Sequence, residues 1–160
     1  EGDVVMVGGP LGASAEGLND ILHGDFDTAY ALQHKNPEPQ VAEGIWLGAR
    51  AEVHAMMDLS DGLASDLVHI LEASHVGAVV ETEHVPAVTS VERAVCGGED
   101  YKLLFTVEAE AAERLMSEYA SEFGYRPFAI GRIVASSDPV IEWRDNGRTF
   151  NPDWHGFSHY

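Results

Sequence analysis

Short apolar runs alternate with amphipathic segments along the whole chain, and their spacing predicts a mixture of strands and helices. Runs rich in β-branched residues predict strands, while apolar residues at every third or fourth position predict helices. The predicted strands cover residues 4–7, 53–57, 77–82, 101–107, 128–134, 140–144 and 148–150. The predicted helices cover residues 14–23, 41–49, 63 to before Gly77, 90–95 and 109–123. This mixture favours an α/β (α+β) layered sandwich in which helices cover a mixed β-sheet.

Residues at the ends and on the faces of these segments sharpen the prediction. Ser14 is a candidate N-cap of the first helix, and Gly24 follows its last turn. Asn146-Gly147 is a hairpin signal between the last two strands. Apolar residues share one face in the second predicted helix, at Val41, Ala42, Ile45, Trp46 and Ala49. The third has an apolar stripe at Leu63, Leu67, Ile70 and Leu71.

The sequence MMDLSDGLASD, residues 56–66, places two aspartates between a buried strand and a helix N-terminus. Asp58 and Asp61 would repel each other unless a cation lies between them, and Mg²⁺ prefers carboxylate and phosphate oxygens. Ser60 could donate to a phosphate, and Gly62 allows close approach of the backbone. The alternative is that Ser60 or Asp61 caps the helix and Asp58 simply ends the strand. The local pattern leaves both interpretations open.

A second loop, Gly97-Gly98-Glu99-Asp100, precedes the predicted strand at 101–107. Paired glycines let a backbone approach a ligand, and Glu99 or Asp100 could accept hydrogen bonds from hydroxyl groups or ring nitrogens. An ordinary turn would use the same residue types.

Composition and charge narrow the classes of function. The 160 residues are 45% hydrophobic, which is enough for one compact domain. The formal charge of −18 disfavours binding to nucleic acid or anionic membranes, so a phosphorylated ligand would need a metal ion or a second domain. The single cysteine, Cys96, is expected to be a small buried side chain in a reducing compartment. With no signal-like or membrane-spanning segment, we expect a cytoplasmic protein.

Other candidate sites are weaker. The eight histidines are scattered without the spacing of a zinc site, and the chain has no phosphate-binding lysine motif of the Walker type. The aromatic residues Trp154, Phe157 and Tyr160 are expected to cover an edge of the core.

Several segments together resemble thiamine-monophosphate kinase, and the resemblance extends over essentially the whole chain. They are GDVVMVGGPLGASAEGL (2–18), NPEPQVAEG (36–44), MMDLSDGLASDL (56–67), GGEDYKLLFTV (97–107), IGRIV (130–134) and GFSHY (156–160). The Ser-Asp-Gly loop is shared across the superfamily related to aminoimidazole ribonucleotide synthase, whereas the Gly-Gly-Glu-Asp-Tyr segment and the C-terminal segment single out the kinase. The resemblance implies a fold similar to the C-terminal domain of aminoimidazole ribonucleotide synthase.

The resemblance also implies an activity, which is transfer of the ATP γ-phosphate to thiamine monophosphate to give thiamine diphosphate and ADP. It implies that Asp58 and Asp61 ligate Mg²⁺ and that Ser60 contacts ATP. It further implies that Glu99 binds the substrate and that Phe157 lines the thiamine pocket. The kinase would be cytoplasmic, and the full-length enzyme would form a homodimer.

Two departures and one absence qualify the resemblance. Gln40 stands where the family often has arginine, so no role is assigned to it, and Phe157-Ser158 stands where the family often has Trp-Asp. The chain begins at Glu1 without methionine and matches only the C-terminal half of the kinase. We therefore expect residues 1–160 to be a single C-terminal domain that lacks the N-terminal ATP-binding half and is inactive alone.

Two alternative functions remain. One is another ATP-dependent enzyme of the same superfamily, such as aminoimidazole ribonucleotide synthase or a hydrogenase-maturation protein. Such an enzyme would share the loop from Asp58 to Gly62 but not the Glu99 loop. The other is a non-catalytic domain of the same fold that binds a small ligand or a metal.

Overall fold

The computed structural model describes residues 1–156, and these form a seven-stranded mixed β-sheet with helices packed on its faces. The strands are β1 (Val4–Val7), β2 (Val53–Asp58), β3 (Gly77–Glu81), β4 (Leu103–Val107), β5 (Phe128–Val134), β6 (Ile141–Asp145) and β7 (Arg148–Phe150). The helices are α1 (Ala13–His23), α2 (Ala29–Lys35), α3 (Val41–Gly48), α4 (Leu63–Ser74), α5 (Val91–Cys96) and α6 (Ala112–Phe123). The predicted α/β class and its mixed sheet are confirmed.

The strand order in the sheet is β2-β4-β1-β5-β3-β6-β7. Neighbouring strands are antiparallel except β3 and β6, which run parallel. Because β2 and β4 are antiparallel, the end of β2 lies beside the start of β4, with Asp58 opposite Leu103. This register brings the loop after β2 next to the loop before β4.

The two faces of the sheet build two hydrophobic clusters, because successive residues of a strand point to opposite faces. On β1, Val5 and Val7 join the cluster that contains the apolar residues of α4 and α5. Met6, which lies between them, joins the cluster formed with α3 and α6. The sheet is therefore the middle layer of the predicted sandwich.

Three details of the predicted pattern are confirmed. The stripe of α4 is buried at all four positions, namely Leu63, Leu67, Ile70 and Leu71. Gly24 follows the last turn of α1 in the left-handed conformation, as predicted, and Gly124 ends α6 in the same way. Asn146 and Gly147, with φ of 48° and 75°, form the hairpin turn between β6 and β7.

The start of α1 differs from the prediction. Gly12 occupies the N-cap position, with φ of 89°, and Ser14 lies inside the first turn. The Ser14 hydroxyl is therefore not the cap, and it lies 2.7 Å from Nδ1 of His34 instead. Helix α2, which carries His34, was not predicted, although Thr28 caps it by accepting from the Ala31 N–H.

The exposed face of α3 also differs from the expectation. Val41 and Ile45, on the predicted apolar face, are 62% and 71% exposed, whereas Leu47 is fully buried. Trp46 does pack inward, edge-on against Tyr119 and Phe123 of α6. The helix therefore contacts the sheet and α6 through Trp46 and Leu47, and of the predicted apolar face only Trp46 packs inward.

Across residues 1–156, no helix combines the length and apolar character needed to cross a bilayer.

Candidate functional site

Two loops lie side by side at one end of the sheet, and we call them the aspartate loop (residues 58–62) and the glutamate loop (residues 97–101). The antiparallel pairing of β2 with β4 continues into them. The Leu59 N–H donates to Lys102 O at 2.9 Å, and the Tyr101 N–H donates to Leu59 O at 2.9 Å. The Glu99 N–H then donates to Ser60 O at 2.7 Å. The structure thus brings Glu99 next to Asp58, Ser60 and Asp61, which lie about 40 residues earlier in the sequence.

Gly62 fits this junction because two conditions require glycine. Its φ of 103° and ψ of 156° fall in a region that is essentially restricted to glycine. A Cβ there would lie 2.9 Å from Gly97 O and 3.0 Å from Val95 O. The absence of a side chain therefore lets the aspartate loop press against the glutamate loop.

Asp66, in the first turn of α4, organises the aspartate loop. Its Oδ2 accepts hydrogen bonds from the backbone N–H groups of Ser60, Asp61 and Gly62 at 2.9, 3.0 and 3.1 Å. Asp66 is 1% exposed, and burial raises the pKa of its carboxyl, while the three backbone donors act in the opposite direction. The N-cap position of α4 belongs to Gly62, so the helix start depends on Asp66 and not on a capping side chain at position 60 or 61.

Asp100 has a similar role for the glutamate loop. Its Oδ2 accepts from the Gly12 N–H at 2.6 Å, and its Oδ1 accepts from the Ser14 N–H at 3.0 Å. These donors belong to the N-terminus of α1, where a carboxylate also interacts favourably with the helix dipole. Asp100 is buried, and this burial raises the pKa of its carboxyl. Asp100 therefore ties the glutamate loop to α1.

Glu99 points away from the core while Asp100 points into it. The Glu99 side chain is 43% exposed, and its Oε2 lies 3.7 Å from His34 Nδ1. Both the Glu99 and the Ser14 contacts of His34 use Nδ1. A Ser-His-acid hydrolase uses both ring nitrogens, one for the nucleophile and one for the acid, so this cluster is not such a triad. A small cavity of about 110 Å³ lies beside it, lined by Ser14, Ala15, Leu18, His34 and Gly97–Glu99.

Asp58 and Asp61 offer oxygen ligands of the kind that Mg²⁺ prefers. Asp58 is exposed at the end of β2, and Asp61 is partly buried on a loop whose backbone Asp66 holds. Within residues 1–156, no group of three or more histidine, cysteine, aspartate or glutamate side chains is arranged to hold a metal ion. An Mg²⁺ ion held by these two carboxylates would have to take its remaining ligands from water, phosphate or another part of the protein.

The C-terminal segment returns to the aspartate loop. Trp154 packs edge-on against Trp143 and Phe150, with ring centroids 5.0 and 5.5 Å apart, as expected for a residue that covers the core. A Cβ on Gly156 would lie 2.8 Å from Asp61 O. Phe157, the predicted substrate contact, lies outside the described residues, and so does Tyr160.

Cys96 is partly buried beside the loops, and desolvation raises the pKa of its thiol. A nucleophilic cysteine requires the opposite shift, and the side chain that the sequence predicted to be buried is partly buried in the structure.

Gln40, to which the sequence assigned no role, joins β1 to β4. Its Nε2 donates to Gly8 O at 2.8 Å, and its Oε1 accepts from the Leu103 N–H at 2.8 Å. The side chain is 8% exposed, and Nε2 also donates to the Tyr125 hydroxyl at 2.9 Å. The only sequence feature that could have drawn attention to Gln40 was its position after a Pro-x-Pro segment. Its role could not be predicted, because Gly8 and Leu103 lie 32 and 63 residues away in the sequence.

Comparison with known proteins agrees with this geometry. A family model described as AIR synthase related protein, C-terminal domain, matches residues 1–144. The thiamine-monophosphate kinase of Salmonella typhimurium strain LT2 is 34% identical over 175 aligned positions, which cover 99% of this chain and 53% of that protein.

Solved structures show the same likeness. The thiamine-monophosphate kinase of Stenotrophomonas maltophilia K279a has a TM-score of 0.79 and 30% identity, covering 93% of this chain and 51% of that one. AaThiL, in complex with AMPPCP and TMP, has a TM-score of 0.77 and 27% identity, covering 99% of this chain and 52% of that one. The chain thus spans about half the length of these proteins.

Proposed function

The chain belongs to the family of AIR synthase related proteins, C-terminal domain, and from that premise we propose that it is the C-terminal half of a thiamine-monophosphate kinase. The complete enzyme transfers the ATP γ-phosphate to thiamine monophosphate and releases thiamine diphosphate and ADP. One observation carries the proposal. The aspartate and glutamate loops, which hold four of the five predicted site residues, are joined by backbone hydrogen bonds in a chain similar to such kinases along 99% of its length.

Each loop has its own role in the proposed reaction. Asp58 and Asp61 hold Mg²⁺, which neutralises charge on the phosphates when it is bound. Ser60, held between them, contacts ATP. Phosphoryl transfer demands positioning and charge stabilisation more than covalent participation by the protein, so a rigid loop that presents two carboxylates and a hydroxyl suits it.

Glu99 and Phe157 form the substrate side of the site. The 2.7 Å hydrogen bond between the Glu99 N–H and Ser60 O fixes the distance between the glutamate loop and the aspartate loop. Because in-line transfer depends on that distance, we infer that this joint sets the alignment of the two substrates. Gly156, the last described residue, lies close to Asp61.

The rest of the enzyme is also part of the proposal. Related kinases are about twice as long, and we propose that an N-terminal half supplies the remaining metal ligands, most of the ATP site and a homodimer interface. The exposed Asp58 carboxylate and the lack of a three-residue metal group within residues 1–156 support a site completed from outside this domain. The low cysteine content supports a cytoplasmic location.

The experiment that tests this function uses the full-length protein with Mg²⁺, ATP and thiamine monophosphate. We expect stoichiometric formation of thiamine diphosphate and ADP, and no binding of an aminoimidazole nucleotide. Binding of that nucleotide in place of thiamine monophosphate would favour another enzyme of the superfamily. Binding of thiamine monophosphate without turnover under any Mg²⁺ concentration would favour a non-catalytic domain.

A further inference from the structure

Asp66 is the residue whose contacts the proposed reaction does not yet explain. The sequence analysis gave it no role, yet a single carboxylate oxygen of Asp66 accepts three consecutive backbone N–H groups, those of Ser60, Asp61 and Gly62. These are the backbone positions that carry the proposed ATP contact and one proposed metal ligand. The three bonds therefore fix the loop at the point where its side chains leave the backbone.

Burying the Asp66 carboxylate costs more free energy than an ordinary helix N-cap would. The residue is 1% exposed, and within residues 1–156 no lysine or arginine forms a salt bridge with it. A buried carboxylate without a cation is strongly unfavourable unless hydrogen bonds compensate. A serine or asparagine at the N-cap position would satisfy free N–H groups at a smaller cost.

The position of the charge offers a reason for a carboxylate at this point. The Asp66 carboxylate lies against the backbone of Asp61, whose N–H donates to it at 3.0 Å. Its negative charge would therefore favour a cation bound by the aspartate loop, whereas a neutral cap would not. Hydrogen bonds to an ionised acceptor are also about twice as strong as neutral ones, which favours a stiff loop.

We propose that Asp66 is a positioning residue for the metal site, which holds the aspartate loop in its metal-binding conformation before Mg²⁺ arrives. Asp66 does not touch the metal or the substrates in this proposal. It acts through the backbone of Ser60, Asp61 and Gly62. The inference rests on the proposed function for its metal and nucleotide, but the loop geometry that carries it does not depend on the reaction.

The test compares Asp66→Asn with the wild type in the full-length protein. The variant keeps the size of the side chain and a neutral acceptor oxygen, so the N–H contacts weaken but are not all lost. Asp20→Asn is the matched control, because the Asp20 carboxylate accepts a hydrogen bond from Thr28 Oγ1 at 2.5 Å in the α1–α2 hairpin. It makes the same chemical change away from both loops.

Two measurements separate positioning from simple stabilisation. Amide hydrogen exchange should become faster at residues 60–62 in Asp66→Asn and stay unchanged there in Asp20→Asn. Mn²⁺ affinity, measured by electron paramagnetic resonance in the presence of AMPPCP, should fall about 10-fold or more in Asp66→Asn alone, as for other groups that orient metal ligands. If kinase activity is present, excess Mg²⁺ should restore most of kcat while KM for thiamine monophosphate stays unchanged.

Unchanged Mn²⁺ affinity in a folded Asp66→Asn protein would overturn the proposal. If Asp66→Asn does not fold, amide hydrogen exchange of the wild type tests the proposal instead. The proposal requires the amides of residues 60–62 to be protected in the metal-free protein, and exchange at the rate of an unstructured loop would overturn it. Absence of kinase activity in the full-length wild type would count against the proposed function, whereas the exchange and Mn²⁺ results would still decide the role of Asp66.

Discussion

The backbone N–H of Glu99 donates a 2.7 Å hydrogen bond to the carbonyl oxygen of Ser60. Glu99 has a φ of 64°, a left-handed conformation that is uncommon for a residue with a side chain. Such local strain persists only where surrounding contacts enforce it. The contact with Ser60 and the buried neighbour Asp100 supply that constraint, so the two loops form one unit in which a change on either side affects the other.

Removing the charge of Asp61 should abolish most of the proposed activity. In the full-length enzyme, Asp61→Asn should lower kcat by about 100-fold or more, because one of the two proposed carboxylate ligands loses its charge. The fold should be retained or slightly stabilised, since repulsion with Asp66 disappears. Turnover measured over a range of Mg²⁺ concentrations and thermal unfolding test this prediction, with Asp145→Asn, at the exposed end of β6, as control. Wild-type turnover at ordinary Mg²⁺ would exclude the ligand role.

The substrate side can be tested through coupling between Glu99 and Phe157. Each of Glu99→Gln and Phe157→Ala should raise KM for thiamine monophosphate with little change in KM for ATP. If the two side chains contact one substrate moiety, their effects on the free energy of substrate binding should be non-additive. Strictly additive effects in the double variant would place the two residues at separate sites.

Features set by neighbouring residues were predictable from the sequence. The stripe of α4 was predictable because Leu63, Leu67 and Leu71 lie one turn apart and all face one core. The Asn146-Gly147 turn was predictable because its backbone conformation selects those residues locally. Both features depend on neighbours within a few positions of the chain.

Features that depend on distant partners were missed or misread. Ser14 looked like an N-cap, but Asp100 accepts its N–H from 86 residues away and leaves the hydroxyl to His34. The face of α3 was misread because helical period cannot say which side meets the sheet. Asp58, Ser60, Asp61 and Glu99 were identified through resemblance, whereas Asp66 was not. Its role depends on hydrogen-bond geometry that no residue pattern encodes.

Gln40 should be important for stability even though the proposed reaction gives it no role. In Gln40→Leu, the buried Gly8 C=O and Leu103 N–H lose their side-chain partner. Each unsatisfied buried group costs about 1 to 3 kcal/mol, so the free energy of unfolding should fall by about 2 to 6 kcal/mol. Denaturant unfolding measures the loss, and Gln33→Leu on helix α2 provides the control. A loss equal to that of the control would mean that water replaces the Gln40 amide.

Asp100 should make stability depend on pH in a specific direction. Burial raises the pKa of its carboxyl above the ordinary value of 3.8, so the folded protein keeps the proton to higher pH than the unfolded chain. This contribution is fully present below the unfolded pKa and is lost as pH rises through the folded pKa. The stability advantage of the wild type over Asp100→Asn should therefore shrink as the pH rises above the ordinary pKa value of 3.8.

Denaturant unfolding of both proteins at a series of pH values above 3.8 measures this difference. The variant is the baseline for the wild type, because the remaining acidic residues of this chain, whose net charge is −18, titrate in both proteins. An advantage that grows with pH would show that the hydrogen bonds from Gly12 and Ser14 outweigh burial and lower the pKa of Asp100.

The isolated chain should lack kinase activity. Its charge of −18 opposes the approach of a polyphosphate, and two aspartates cannot hold Mg·ATP without phosphate donors from elsewhere. Titration of residues 1–160 with Mg·ATP and thiamine monophosphate should show at best weak, Mg²⁺-dependent nucleotide binding and no thiamine diphosphate. Adding the separately expressed N-terminal half should restore some turnover, because the reacting groups must be aligned by both halves. If the N-terminal half is combined with the Asp61→Asn variant of residues 1–160, turnover should not return. Robust product formation by the isolated chain would show that the catalytic groups lie entirely within this half.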